Sequence, residues 1–134
     1  MHYDHFVQKV LEYSGMRNFD EAEKVTRATL ETIGERLPKT HRQHLATQLP
    51  VEMKEFLPKS LRMQYLTLEE FYQRIGNRTN TGYSEAVKNA KTVVRVLHEA
   101  VASGELEDIL ATFPLEYNEL FGRKPSGPLS SSHP

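Results

Sequence analysis

Hydrophobic residues recur along the chain at intervals of three and four, the spacing that places side chains on one face of an α-helix. The first such stripe comprises Tyr3, Phe6, Val7, Val10 and Leu11, and a longer one runs through residues 22–37. Residues 62–66 come closest to a strand pattern, and we interpret them as an extended linker. The pattern therefore predicts an all-α protein.

Capping residues and prolines mark the expected helix boundaries. Thr67 heads a Thr-x-x-Glu capping box, and Asp20 heads a similar acidic pattern. Ser84 is the expected N-cap of a second long helix. Pro50 and Pro114 each suit the first position of a new turn, where the missing N–H has no helical partner. The predicted order is helix, long helix, short helix, proline break and short helix, and it occurs twice.

The second half of the chain repeats the first. Adding 65 to Phe6 gives Phe71, and beyond the first loop adding 64 to Leu30 gives Val94. The same offset of 64 relates the element Pro-x-Glu-x-x-Glu at Pro50 to its copy at Pro114. We therefore interpret the chain as two tandem copies of one unit of about 64 residues.

A unit of this size buries little apolar surface on its own. We expect the copies, residues 2–58 and 67–122, to pack face to face about a pseudo-two-fold axis as one compact helical bundle. Residues 1–122 would then form a single domain. Residues 123–134 are rich in Pro, Ser and Gly and are expected to form a flexible tail.

Composition narrows the function classes. The 134 residues include 17 Lys and Arg against 18 Asp and Glu, for a net charge of −1, which argues against a nucleic-acid partner. The absence of cysteine excludes disulfides and thiolate chemistry. The sequence shows no apolar run of about 20 residues and no secretory signal pattern, so we expect no membrane association and a cytoplasmic location.

Several segments resemble a known bacterial family. Leu45-Ala46-Thr47-Gln48-Leu49-Pro50-Val51-Glu52 and the stretch from Ile109 to Tyr117 resemble its recurring Ala-x-x-Leu-Pro-x-Glu element, with Phe113 replacing Leu in the second copy. The segments Tyr3–Val10 and Ala28–Leu37 are also similar. The family is catalogued as domain of unknown function 2267. The resemblance spans about residues 2–122 and implies a small all-helical bacterial protein, without implying any catalytic residue.

Four residues are candidate metal ligands. His41 and His44 are one helical turn apart, and Glu52 and Glu116 occupy equivalent places in the two Pro-x-Glu-x-x-Glu elements. Acidic residues near helix N-termini also interact favourably with the helix dipole, and a stable site needs a third or fourth ligand. We therefore predict no resident metal or cofactor and keep these four residues as candidates.

A basic stripe is the remaining charged feature of note. Lys88, Lys91 and Arg95 recur along the second long helix, with Arg74 and Arg78 nearby in sequence. Such a stripe can follow phosphates, or it can form a solvated face or pair with acidic residues. Because the overall charge is balanced, we favour the second interpretation.

No catalytic constellation is visible in the sequence, which has neither a Gly-rich phosphate loop nor a nucleophile elbow. We therefore expect a non-enzymatic interaction or binding module that acts through protein–protein contacts. Its partner would be another protein or a second copy of the chain. The alternative is a small-molecule or metal-binding helical bundle.

Overall fold

The computed structural model describes residues 1–59 and 62–123. In these ranges the chain forms α1 (Tyr3–Ser14), α2 (Phe19–Arg36), α3 (Lys39–Gln48), the 3-10 helix η1 (Val51–Phe56), α4 (Leu68–Thr79), α5 (Tyr83–Ala100), α6 (Ser103–Leu110), the 3-10 helix η2 (Leu115–Tyr117) and α7 (Asn118–Phe121). No β-strand occurs among these residues, and 62–66 form an irregular linker. The all-α prediction is confirmed.

The predicted apolar stripes face one continuous core to which every helix contributes. Leu30 on α2 and Val94 on α5 are 0% and 2% exposed, and Phe6 and Phe71 are fully buried. Helical spacing alone therefore identified the buried faces correctly. Within the described ranges, no helix is long and apolar enough to cross a membrane.

The starts of the two long helices differ from the sequence-based expectation. The N-cap of α2 is Asn18, whose side-chain oxygen accepts a hydrogen bond from the Glu21 N–H at 2.9 Å, so Asp20 already lies within the helix. The N-cap of α5 is Gly82 rather than Ser84. By contrast, the Thr67 capping box before α4 is present with both of its hydrogen bonds.

Helices of the N-terminal half (residues 1–59) pack against helices of the C-terminal half (residues 62–123). The first helix of each half, α1 or α4, contacts the long helix of its own half and that of the other half. The long helices α2 and α5 also contact each other, as do α3 and α6. The same set of contacts results when α1, α2 and α3 are replaced by α4, α5 and α6 and the reverse.

A carboxylate near the end of each long helix takes two donors from the first helix of the other half. Glu35 of α2 accepts from the Arg78 guanidinium at 2.6 Å and from Arg74 at 3.2 Å. Glu99 of α5 accepts a hydrogen bond from the Tyr13 hydroxyl at 2.6 Å. Its other oxygen forms an ion pair with the Lys9 ammonium group at 2.9 Å. These hydrogen bonds from Tyr13 and Lys9 hold the pKa of Glu99 below its usual value.

The end of the described chain is bound to the bundle. Arg123, which the sequence analysis assigns to the flexible tail, donates to the Leu110 carbonyl at 2.7 Å and to the Pro114 carbonyl at 3.0 Å. Its guanidinium thus satisfies carbonyls near the end of α6 that lack a helical partner. Residues 124–134, the rest of the predicted tail, lie outside the described residues.

Glu35→Gln should destabilise the protein more than Glu99→Gln does. Glu35 is 9% exposed and holds two guanidinium groups, so removing its charge should lower the free energy of unfolding by about 2–4 kcal/mol. Glu99 is exposed, and its loss should cost less than about 1 kcal/mol. Urea denaturation of both variants measures the difference, and equal losses would contradict this account of the two carboxylates.

Candidate functional site

A groove lies between α3 and η1, at the C-terminal end of α2. Prolines shape it: Pro38 is the N-cap of α3, and Pro50 is the N-cap of η1, so the chain turns sharply at both ends of α3. The groove has a volume of about 400 Å³. Its lining consists of Lys39, Arg42, Gln43, Ala46, Lys54, Leu57, Pro58 and Lys59.

The floor of the groove depends on a close approach between α2 and the segment after η1. A Cβ atom at Gly34 would lie 2.8 Å from Pro58 Cδ and 3.1 Å from Leu57 Cδ2. Atoms this close would have to move, because real Cβ contacts are longer. The glycine within α2 therefore allows Leu57 and Pro58 to sit against the helix.

Arg42 ties the three segments of the groove together. It is only 3% exposed, and its guanidinium donates to the carbonyls of Gly34 at 2.8 Å, Leu37 at 3.1 Å and Pro58 at 3.2 Å. Burial lowers the pKa of Arg42, but a guanidinium stays charged at neutral pH. The arginine thus caps the end of α2 and fixes Pro58 relative to α3.

Three lysines surround the apolar floor. Lys39, Lys54 and Lys59 are exposed. Counting only partners in residues 1–59 and 62–123, none of these ammonium groups has a carboxylate within 4.0 Å. We call this feature the lysine-rimmed groove: a rim of Lys39, Lys54 and Lys59 around Ala46, Leu57 and Pro58.

A groove in the C-terminal half has different chemistry. It has a volume of about 610 Å³ and lies between α6 and the η2–α7 segment, with Leu115 at its edge. Glu107 lines it, and its cation, Arg123, is bound to main-chain carbonyls. Of these two grooves, as far as residues 1–59 and 62–123 define them, the first combines an apolar floor with a rim of unpaired cations.

Comparison with known proteins gives a family. The family model described as "Uncharacterized conserved protein (DUF2267)" matches residues 3–120. The chain belongs to this family. The match confirms the resemblance found in the sequence, and the family description names no activity. No curated protein matches the chain.

The candidate metal ligands of this DUF2267 chain are not brought together at one site. His44 Nε2 lies 2.6 Å from Glu105 Oε2, a contact between α3 and α6, whereas His41 lies beside Thr40. Glu52 and Glu116 are exposed on η1 and η2. Where the structure describes the chain, no three His, Asp or Glu side chains are grouped in a way that could hold a metal ion.

Most of the basic stripe contacts other side chains of the protein. Arg74 and Arg78 bind Glu35, Lys91 lies 3.9 Å from Glu119, and Arg95 stacks on the Tyr13 ring at 3.7 Å from its centroid. These contacts support the interpretation of the stripe as a structural feature.

Sequence reasoning missed Arg42 and Gly34. Arg42 lies three residues before the buried Leu45, on the inner face of α3, and Gly34 interrupts the apolar stripe of α2. A cation and a glycine at inward positions were the available signals. The contact that each makes with Pro58 could not be read from the pattern, because Pro58 lies in the segment after η1.

Gly34→Ala should destabilise the protein, whereas Gly104→Ala should not. The methyl group at position 34 would collide with Pro58, at a cost of about 1–3 kcal/mol. Gly104 lies within α6 with open space around it, so alanine there should be neutral or stabilise by about 0.5–1 kcal/mol. Thermal and urea unfolding of both variants test this, and a neutral Gly34→Ala would show that the close approach is not required.

Proposed function

We propose that this protein is a non-enzymatic interaction module whose lysine-rimmed groove binds an acidic segment of another protein. The observation that carries the proposal is the rim of three unpaired lysines around an apolar floor. An apolar side chain of the partner would cover Ala46 and Pro58, above the buried Leu57. Acidic residues on either side of that anchor would pair with the lysines.

The physical chemistry of the groove favours a weak, charge-steered contact. Burying one apolar side chain contributes about 1.5–3 kcal/mol, and each exposed ion pair adds at most about 1 kcal/mol. One anchor and three such pairs sum to at most about 6 kcal/mol, which corresponds to a dissociation constant no tighter than about 40 μM. The rim charges would mainly accelerate association and select against basic segments.

We also infer that the two halves are copies of one unit that differ at their grooves. Helix ends coincide at the sequence offset: α1 and α4 end in left-handed residues at Gly15 and Asn80, and η1 and η2 follow Pro50 and Pro114. Adding 64 to Lys54 gives Asn118, so a rim lysine has no counterpart there. This divergence supports one acidic segment per chain.

Other expectations from the sequence remain part of this proposal. We retain a bacterial origin, a cytoplasmic location and a non-enzymatic role. The contacts made by Arg74, Arg78, Lys91 and Arg95 support the expectation that nucleic acid is not a partner. A metal-binding role lacks support, since the candidate ligands lie apart in the described residues.

Binding can be measured with designed peptides. We expect a fluorescent peptide with one leucine between two pairs of glutamates to bind with one site per chain, and to bind more weakly as salt rises. A peptide with lysines in place of the glutamates should not bind. The triple variant K39Q/K54Q/K59Q should weaken binding of the acidic peptide at least about 10-fold by fluorescence anisotropy.

The matched control is R17Q/K24Q/K88Q, which removes the same charge at the other end of α2 and should leave the affinity unchanged. Equal weakening by both variants would indicate a nonspecific charge effect and contradict the proposal. Self-association of the protein that is lost in K39Q/K54Q/K59Q would identify a second copy as the occupant. That result would also overturn the acidic-segment assignment.

A further inference from the structure

A second concave site lies where the turns that lead into the two long helices meet. One wall is the α1–α2 turn with the start of α2, and the other is the α4–α5 turn with the start of α5. The volume between them is about 490 Å³. We call it the inter-half cleft. Its lining consists of Ser14, Gly15, Met16, Arg17, Glu21, Lys24, Val25, Thr79, Asn80, Thr81, Glu85, Lys88 and Asn89.

Equivalent positions of the two halves line the inter-half cleft. Adding 64 to Glu21 gives Glu85, and adding 64 to Lys24 gives Lys88. The site is thus built jointly by both halves, and it is remote from the lysine-rimmed groove because it lies at the opposite end of α2. A ligand in the cleft would bind independently of the proposed protein partner.

Asn89 is the feature that points to a ligand. It is only 4% exposed, it lines the cleft, and its carboxamide has no hydrogen-bond partner among the described residues. The equivalent residue of the other half, 64 positions earlier, is Val25, so this place in the bundle accommodates a purely apolar side chain. The amide atoms of Asn89 are accessible from the cleft and not sealed beneath it. They can donate to and accept from a polar group inside the cleft.

The charges around Asn89 indicate which chemistry fits. Arg17, Lys24 and Lys88 are exposed, and none has a carboxylate within 4.0 Å in the part of the chain that is described. The positive end of the α5 dipole adds to them, and the glycine N-cap of α5 leaves its first N–H groups without a side-chain acceptor. These charges favour an anionic group, such as one phosphate, in the cleft.

The same cleft also carries two carboxylates. Glu21 and Glu85 would repel a ligand with several phosphates, but they accept hydrogen bonds from hydroxyl groups. Asn80 and the hydroxyl of Thr81 extend this polar lining. We propose that the inter-half cleft binds a small phosphorylated polyol, with its phosphate between Lys24 and Lys88 and its hydroxyl groups on Asn89 and the glutamates.

Isothermal titration calorimetry with glucose 6-phosphate tests this assignment on the full chain. We expect saturable binding at one site per chain, weaker binding of inorganic phosphate, and still weaker binding of glucose. Asn89→Val, which copies the residue of the other half, should weaken binding at least about 10-fold while the protein stays folded, because it removes a hydrogen-bonding group. The Asn89 side-chain amide signals should shift on titration in a ¹H–¹⁵N spectrum.

The variant K24Q/K88Q should weaken binding and flatten its salt dependence, whereas K39Q/K54Q/K59Q should bind as the parent does. The proposal is overturned if glucose 6-phosphate gives no saturable binding, or if Asn89→Val binds it unchanged. Equal affinity for inorganic phosphate and glucose 6-phosphate would overturn the polyol assignment. Loss of binding in K39Q/K54Q/K59Q would place the ligand in the other groove and so contradict the inter-half cleft.

Discussion

The structure depends on the burial of each half's first helix against the long helix of the other half. Helix α1 contacts α5 as well as α2, and α4 contacts α2 as well as α5. Phe6 of α1 and Phe71 of α4 are completely buried. Because a half of this size has little interior of its own, removing either half would expose most of these apolar stripes to water. The ion pairs of Glu35 and Glu99 likewise join each long helix to the first helix of the other half.

This shared core leaves concave surface at both ends of the long helices, where connecting segments turn. At the C-terminal end of α2, Gly34 and Arg42 hold the apolar floor that three lysines surround. At its N-terminal end, a buried carboxamide, two carboxylates and three cations face one another across a cleft. The first chemistry suits an acidic protein segment and the second suits a small polar molecule. Both assignments are proposals, and together they describe a protein that acts by binding.

The amino-acid pattern predicted the fold better than the sites. Helical spacing located the buried stripes, and the Thr-x-x-Glu pattern identified the Thr67 capping box, because these features depend on neighbouring residues. Pro50 and Pro114 marked the breaks correctly, but each is the N-cap of a 3-10 helix and not the first residue of a short helix. Arg42 and Asn89 could not be assigned roles in this way. Both are polar residues on inward faces. Pro58, which binds Arg42, and the α1–α2 turn, which lines the same cleft as Asn89, are distant from them in sequence. The candidate metal ligands were chosen from spacing along the sequence, but in the described residues the fold brings no three His, Asp or Glu side chains together to hold a metal ion.

The central claim, that neither half has a sufficient core alone, can be tested by separating the halves. Residues 1–61 and 62–134 would be produced as two chains and followed by circular dichroism and ¹H–¹⁵N spectra. We predict that each chain alone lacks a cooperative thermal transition, and that mixing them restores helical signal and dispersed resonances. Cooperative unfolding of either isolated chain would contradict the claim.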